Sequence, residues 1–393
     1  LDSNQRIEKN EYGMESLSRK SLYLVPFFIG LSYSIYSVTI RAKIGSIAKS
    51  DYSFMILLTS METIPGIFSV LSGYYSDRFG KILPLSFGFV ASSLLVLFPF
   101  IQITLLPIFV FLFITMYMLY TPTIYGMILR KAEGSGKKLG MLLMMFSIGW
   151  TCGGFFPSLL SLTGYTDLGF LFSAILLMIS AKMLLSKMEQ SKKLEDRSVS
   201  IYGFKESIKY AWKIILGLIL WASGYFLLSG IFSLRLYNSV NNQFEYGVYF
   251  TVITGLASII VRPYAGKLVD KFSPYKVLLS SISAYLGLSL ALIWAPPPLV
   301  VLLWILPIYP FFDTGSYSLL SRAMPFELQS TAAGIINTSI SFGGSINLIL
   351  YYFLRNVSFE VMLVTDSVLL LLSVVWFTLI FRKSETFYLH FNS

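Results

Sequence analysis

Apolar residues in this chain come in long unbroken runs, not in the alternation of a half-buried strand or the narrow stripe of a soluble helix. The runs lie at about 22–40, 52–75, 82–101, 105–129, 139–162 and 168–185. A second set lies at 214–236, 246–268, 275–295, 299–320, 332–353 and 361–381. Each approaches the roughly 20 residues that carry a helix across a bilayer, so the pattern predicts twelve membrane helices. Pro26, Pro65, Pro122, Pro307 and Pro310 fall inside these runs. They would break water-soluble helices and are tolerated where neighbouring helices re-satisfy the freed backbone. The first run is too long for the core of a cleaved signal and reads as a retained helix.

Between the runs, the polar positions divide unequally. If the N-terminus is cytoplasmic, all but five of the 30 Lys and Arg fall in inward-facing segments, including Arg130, Lys131, Lys137, Lys138, Arg262, Lys271 and Arg322. The five outside are Arg41, Lys43, Lys49, Arg235 and Arg355. The positive-inside rule then puts both tails in the cytoplasm. A charged stretch near the midpoint separates two sets of six runs. The expected layout is a tail at 1–20, a first six-helix bundle at 21–188, a linker at 189–210, a second bundle at 211–383 and a tail at 384–393.

Composition sharpens this picture. Of 393 residues, 55% are hydrophobic and 13% charged, about half the charge of a soluble domain. The net charge of +10 is a topological label and not a nucleic-acid footprint. Cys152 and His390 are the only Cys and His, which excludes an intrachain disulfide, a thiolate cluster and a His-based triad or zinc site. Protonation chemistry inside the membrane is left to Asp, Glu and Tyr.

The two sets of runs repeat at an offset of about 193. Gly73-Tyr74-Tyr75-Ser76-Asp77-Arg78-Phe79-Gly80-Lys81 is answered by Gly266-Lys267-Leu268-Val269-Asp270-Lys271-Phe272-Ser273-Pro274. Glu133 before Gly140 is matched by Glu327 before Gly334, and Gly149 by Gly343. Gly73, Asp77, Arg78, Gly80 and Lys81 match a loop signature, and with its degenerate second copy the sequence resembles the major facilitator superfamily of transporters over nearly its whole length.

The resemblance implies an all-α integral membrane protein, twelve helices in two pseudo-symmetric six-helix bundles, moving a small organic solute by alternating access with proton symport or antiport. It implies no cofactor, a monomer in the cell membrane, and the solute, the bilayer and protons as partners, with no nucleic acid. Asp77 is expected against the start of helix eleven near Ser330, where helix N-termini favour anions. Arg78 is expected to pair with Glu133, Asp270 to face helix five, and Lys271 to seek Glu327. An uncoupled facilitator or a non-transporting sensor of the same fold are the alternatives. A membrane enzyme lacks a clustered constellation, and no Walker spacing for ATP is present.

Ionisable residues inside a membrane are functional candidates by default. Glu62, Asp313 and Asp366 qualify. Burial disfavours a charged carboxylate, so such a group can carry a proton. In the resembling family helices one, four, seven and ten line the cavity, which favours Asp313 and leaves Asp366 a structural role. Glu62 divides evenly between a proton role and an interhelical hydrogen bond. Further candidate contacts with solute are Ser32, Tyr33, Tyr36, Tyr117, Tyr120, Thr121, Ser223, Tyr225, Ser229, Tyr317, Asn337 and Asn347. Arg41 and Arg235 are expected at the outer mouth, where snorkelling is the simpler reading. Drug antiporters of the family carry an Arg in helix four, absent here, and their helix-five pattern is only partly echoed by Gly149, Gly153, Gly154 and Pro157.

Overall fold

The computed structural model describes residues 19–48, 52–102, 104–188, 201–240, 242–354 and 357–382. Residues 1–18 and the whole of the second expected tail, part of the linker, Lys49, Arg355 and His390 lie outside the described residues. The described chain is helical. In order, α1 is Arg19–Ala48, and α2 runs through Tyr52–Thr63, a 3-10 turn Ile64–Phe68 and Ser69–Phe79. Then come α3 (Ile82–Leu97), α4 (Leu106–Ala132), α5 (Gly136–Thr163), α6 (Leu168–Met188) and α7 (Ile201–Ser239). α8 begins at Gln243–Gly247, passes a π-helical stretch Val248–Ile253 and continues as Thr254–Phe272. α9 is Pro274–Ile293, α10 is split into Pro297–Ile305 and Tyr309–Ala323, α11 is Gln329–Leu354 and α12 is Phe359–Arg382.

Eleven helices among the described residues are long and apolar enough to cross a membrane. The stretch outside that set is α2, whose buried positions include Ser60, Glu62, Thr63, Ser69, Ser72 and Ser76. Polar burial of that density points to interhelical contacts. The expected span at 299–320 is interrupted. Pro307 has no N–H to continue the ladder, and Leu306 turns extended (φ −61°, ψ 119°) before the helix restarts. Pro122, by contrast, sits within a continuous α4.

Packing follows the repeat. α1 packs on α5 and α6, α3 on α4 and α6, and α2 on α4. Six helices later, α7 packs on α11 and α12, α9 on α10 and α12, and α8 on α10. Several contacts join the sets, α4 with α11 among them, and the most extensive are α5 with α8 and α2 with α11. Both are backbone-close. A Cβ on Gly73 would strike the Ser330 carbonyl, and Gly136 and Gly266 meet backbone to backbone. The repeat extends to strain: Gly80 has φ 108° and Ser273, at the equivalent position, φ 93°. That backbone is open to Gly and costly for Ser, which explains the motif glycine in the first copy.

Candidate functional site

At the end of the molecule that carries the α2–α3 and α8–α9 turns, each set of six helices presents a carboxylate to a helix start of the other. Asp77, at the end of α2, accepts from the backbone N–H of Ser330 (3.3 Å) and Thr331 (2.7 Å) and from the Thr331 hydroxyl (2.8 Å). Arg130, from the end of α4, donates Nη2 to the same carboxylate at 2.6 Å and to the Glu327 carbonyl at 2.9 Å. Asp270, at the end of α8, accepts from the N–H of Gly136 (2.8 Å) and Lys137 (2.9 Å) at the start of α5. Arg322, from the end of α10, donates Nη2 to Asp270 at 3.0 Å and Nε to the Gly134 carbonyl at 3.2 Å. Both carboxylates thus satisfy orphan N–H groups at a positive helix end.

The partners differ from those the motif suggests. Arg78 donates to the Tyr74 hydroxyl at 2.6 Å and lies over the Tyr74 and Phe79 rings. Glu133 takes Lys138 at 2.7 Å, and Lys271 lies over Phe272. Glu327 contributes its carbonyl to Arg130. The expected Arg78–Glu133 and Lys271–Glu327 pairs are therefore replaced by Arg130–Asp77 and Arg322–Asp270. The physical reason is rotation: the residue after Asp77 points about 100° away round the helix and meets position i−4 on its own helix, not α4. Lys81 is buried, with its carbonyl accepting from Leu85 at the start of α3.

Deeper in the helices lie two arginine–carboxylate pairs. Glu62 on α2 receives Arg41 of α1 through Nη2–Oε2 at 2.7 Å and Nη1–Oε1 at 3.4 Å. Arg41 also donates to the Ser37 hydroxyl at 2.6 Å and lies 5.5 Å from the Phe250 ring centroid on α8. Asp313 on α10 receives Arg262 of α8 at 2.6 Å, and Arg262 Nε donates to the Ser147 hydroxyl of α5 at 2.6 Å. Arg262 and Asp313 are 3% and 6% exposed. Arg262 is therefore not one of the inward surface bases; it lies eight residues inside the α8 terminus marked by Asp270, about 12 Å along the helix. Arg41 is tied to Glu62, and Arg235 caps α9 by donating to the Leu292 carbonyl and, at 2.7 Å, to that of Ala295. Asp366 accepts from Ser289 between α12 and α9.

Around the Arg262–Asp313 pair, or adjoining it, stand aromatic rings from six helices. Tyr125 and Tyr317 stack at 4.9 Å and 3°, and Tyr317 donates to Asn337 Oδ1 at 3.2 Å. Tyr33 and Tyr117 stack at 5.0 Å and 9°, with Trp150 beside Tyr33. Tyr225 stacks on Trp221 and borders Tyr285 and Tyr309. Tyr33, Tyr117, Tyr225, Asp313, Tyr317 and Asn337 thus belong to this cluster or adjoin it. Four other candidates are used in helix packing. Ser32 bonds to Ser173 on α6, Tyr36 packs on Phe98, Phe113 and Phe170, Tyr120 bonds to Ser180, and Ser223 donates to its own Ile219 carbonyl. Ser32 and Tyr36 are four residues apart and share a face, one step round from Tyr33. Thr121 is buried on α4. Arg130, Arg262, Arg322, Tyr125, Tyr309 and Trp150 are not among the expected site residues; Arg130 and Arg322 lie near helix ends, whereas Arg262 carries a signal, its position inside the run at 246–268.

An apolar groove of about 860 Å3 runs along α9 from Lys276 to Ala291 and meets the α10 break at Pro307. It lies apart from the ion pairs. Among the described residues, no three His, Cys, Asp or Glu side chains gather as a metal site.

A sequence profile of the Major Facilitator Superfamily matches residues 22–348. No curated protein matches the chain. The solved structure of a mutant of the nucleoside transporter NupG is similar with a TM-score of 0.65 at 13% identity, over 92% of this chain and 99% of that one. The human organic anion transporter MFSD10 (TETRAN) gives 0.64 at 10% identity, over 91% of this chain and 98% of its own. Identities this low speak for the fold alone.

Proposed function

The chain belongs to the Major Facilitator Superfamily, and from that premise we propose that it is a secondary transporter of a small organic solute, coupled to protons. In this reading α1–α6 and α7–α12 are two six-helix bundles that rock about a central site and expose it to each side in turn. The observation that carries the reading is the reciprocal pair of contacts at one end, Asp77 on the α11 start and Asp270 on the α5 start. Two rigid bodies that each grip a helix end of the other can be closed at that end and released together. The distribution of bases makes that end cytoplasmic, with both termini on the same side of the cell membrane. The working unit is a monomer.

Proton coupling rests on Asp313 and Glu62. Each is a buried carboxylate whose arginine partner sits on a neighbouring helix, so protonation and helix movement are linked. The test is solute flux in proteoliposomes under an imposed pH gradient. The expected result is gradient-driven accumulation that Asp313→Asn abolishes and Glu62→Gln reduces. Flux that ignores the gradient in all three proteins would leave an uncoupled facilitator.

A further inference from the structure

The Arg262–Asp313 pair restricts what the solute can be. A guanidinium stays protonated at any pH the protein meets. In the conformation described, Arg262 is sealed from solvent and held by Ser147 on α5, so it has no water to turn to when Asp313 lets go. The titratable groups facing Asp313 are Arg262 from α8, Tyr125 from α4, Tyr225 from α7, Tyr285 from α9, and Tyr309 and Tyr317 from α10 itself. α5 and α11 bring Ser147 and Asn337, which do not titrate. No second carboxylate stands ready among the described residues: Glu62 is engaged by Arg41, and Asp366 by Ser289. A proton on Asp313 therefore leaves a buried cation without its anion, a strongly destabilised state.

Resting on the proposed transport function, we propose that the solute is an aromatic organic monoanion that takes the place of Asp313 on Arg262 while Asp313 carries the proton. One proton from the loading side binds the Asp313 carboxylate, and the anionic group of the solute accepts the Nη1–H that Asp313 gives up. On the other side the solute leaves, Asp313 loses its proton and the ion pair re-forms. One anion and one proton cross together, with no net charge. The stacked Tyr125 and Tyr317 rings beside the pair supply a flat face for the solute's ring.

The test uses the full chain in proteoliposomes with radiolabelled benzenesulfonate, a monoanion that cannot cross as its own neutral acid, alongside other aromatic monoanions and neutral ring solutes headed by uridine. A gradient of one pH unit is expected to accumulate a monoanion about tenfold, and a potential clamped with valinomycin is expected to leave that value unchanged. Asp313→Asn, which mimics the protonated carboxyl, is expected to keep anion exchange and lose gradient drive. Should that variant fold poorly, the charge-neutral pair Arg262→Gln with Asp313→Asn is expected to fold and to lose anion uptake. Accumulation of uridine with charge movement, and of no monoanion, overturns the proposal and leaves the transporter standing. Flux of no probe through vesicles holding folded protein overturns both.

Discussion

Asp77 and Asp270 hold equivalent positions, face equivalent helix starts and take one arginine each, yet Asp77 is fully buried while Asp270 is 36% exposed. Their arginines differ in the same sense, 14% for Arg130 and 35% for Arg322. The helix starts differ too. α11 offers Asp77 the Thr331 hydroxyl as well as two N–H groups, whereas α5 opens on Gly136, which has no side chain to offer. Equal geometry therefore does not mean equal energy. A carboxylate out of water depends on every partner it has, and a half-solvated one exchanges its partners for water at small cost.

Four substitutions probe that contrast. Asp77→Asn strands the largely buried Arg130 and is expected to cost about 3–5 kcal/mol of closed-state stability, read as a drop in the thermal midpoint of the protein in nanodiscs. A midpoint like wild type would show that the burial difference carries no energy. Gly73→Val drives a side chain into the Ser330 backbone and should cost about 1–3 kcal/mol by the same measurement, with a cysteine introduced at position 331 becoming open to alkylation. Asp270→Asn removes a cap and a solvated ion pair, an effect of about 1 kcal/mol. Its share should shrink in high salt, whereas the Asp77 effect should persist. Arg78→Gln, for all its place in the motif, should shift the midpoint by no more than about 0.5 kcal/mol, because its contacts are with Tyr74 and Phe79.

The contrast also marks where sequence reasoning stops. Run lengths and the repeat are one-dimensional facts, and eleven of the described helices are long and apolar enough to cross a membrane; the approach of Asp77 to Ser330 is implied by the family resemblance, and Asp77 contacts Ser330 and Thr331. Which base meets which acid is a matter of rotation about the helix axis and of the neighbour across it. Arg130 reads as an inward loop charge because it is close to a helix end, and Arg262 counts with the inward bases although it falls inside the run at 246–268; the packing of α4 on α2 and of α8 on α10 turns them toward Asp77 and Asp313. Tyr36 and Tyr120 illustrate the reverse case. Tyrosine in a cavity-lining helix looks like a solute contact, but a neighbouring position one step round faces the packed interior. Pro122, Pro307 and Pro310 read alike in the sequence, as tolerated within their runs, yet α4 is continuous at Pro122 while α10 breaks before Pro307, since the prolines alone do not say whether neighbours re-satisfy the backbone.

Where Gly73 meets Ser330 and Gly136 meets Gly266, the facing surfaces are largely bare backbone. Such surfaces have no rotamers to freeze. Ordering long side chains at each closure would carry an entropic charge that grows with every contact made, and each reopening would scramble them. Backbone against backbone returns to the same fit every time, so in the proposed alternating-access cycle the joint would part and meet over many turnovers without having to search for its closed form.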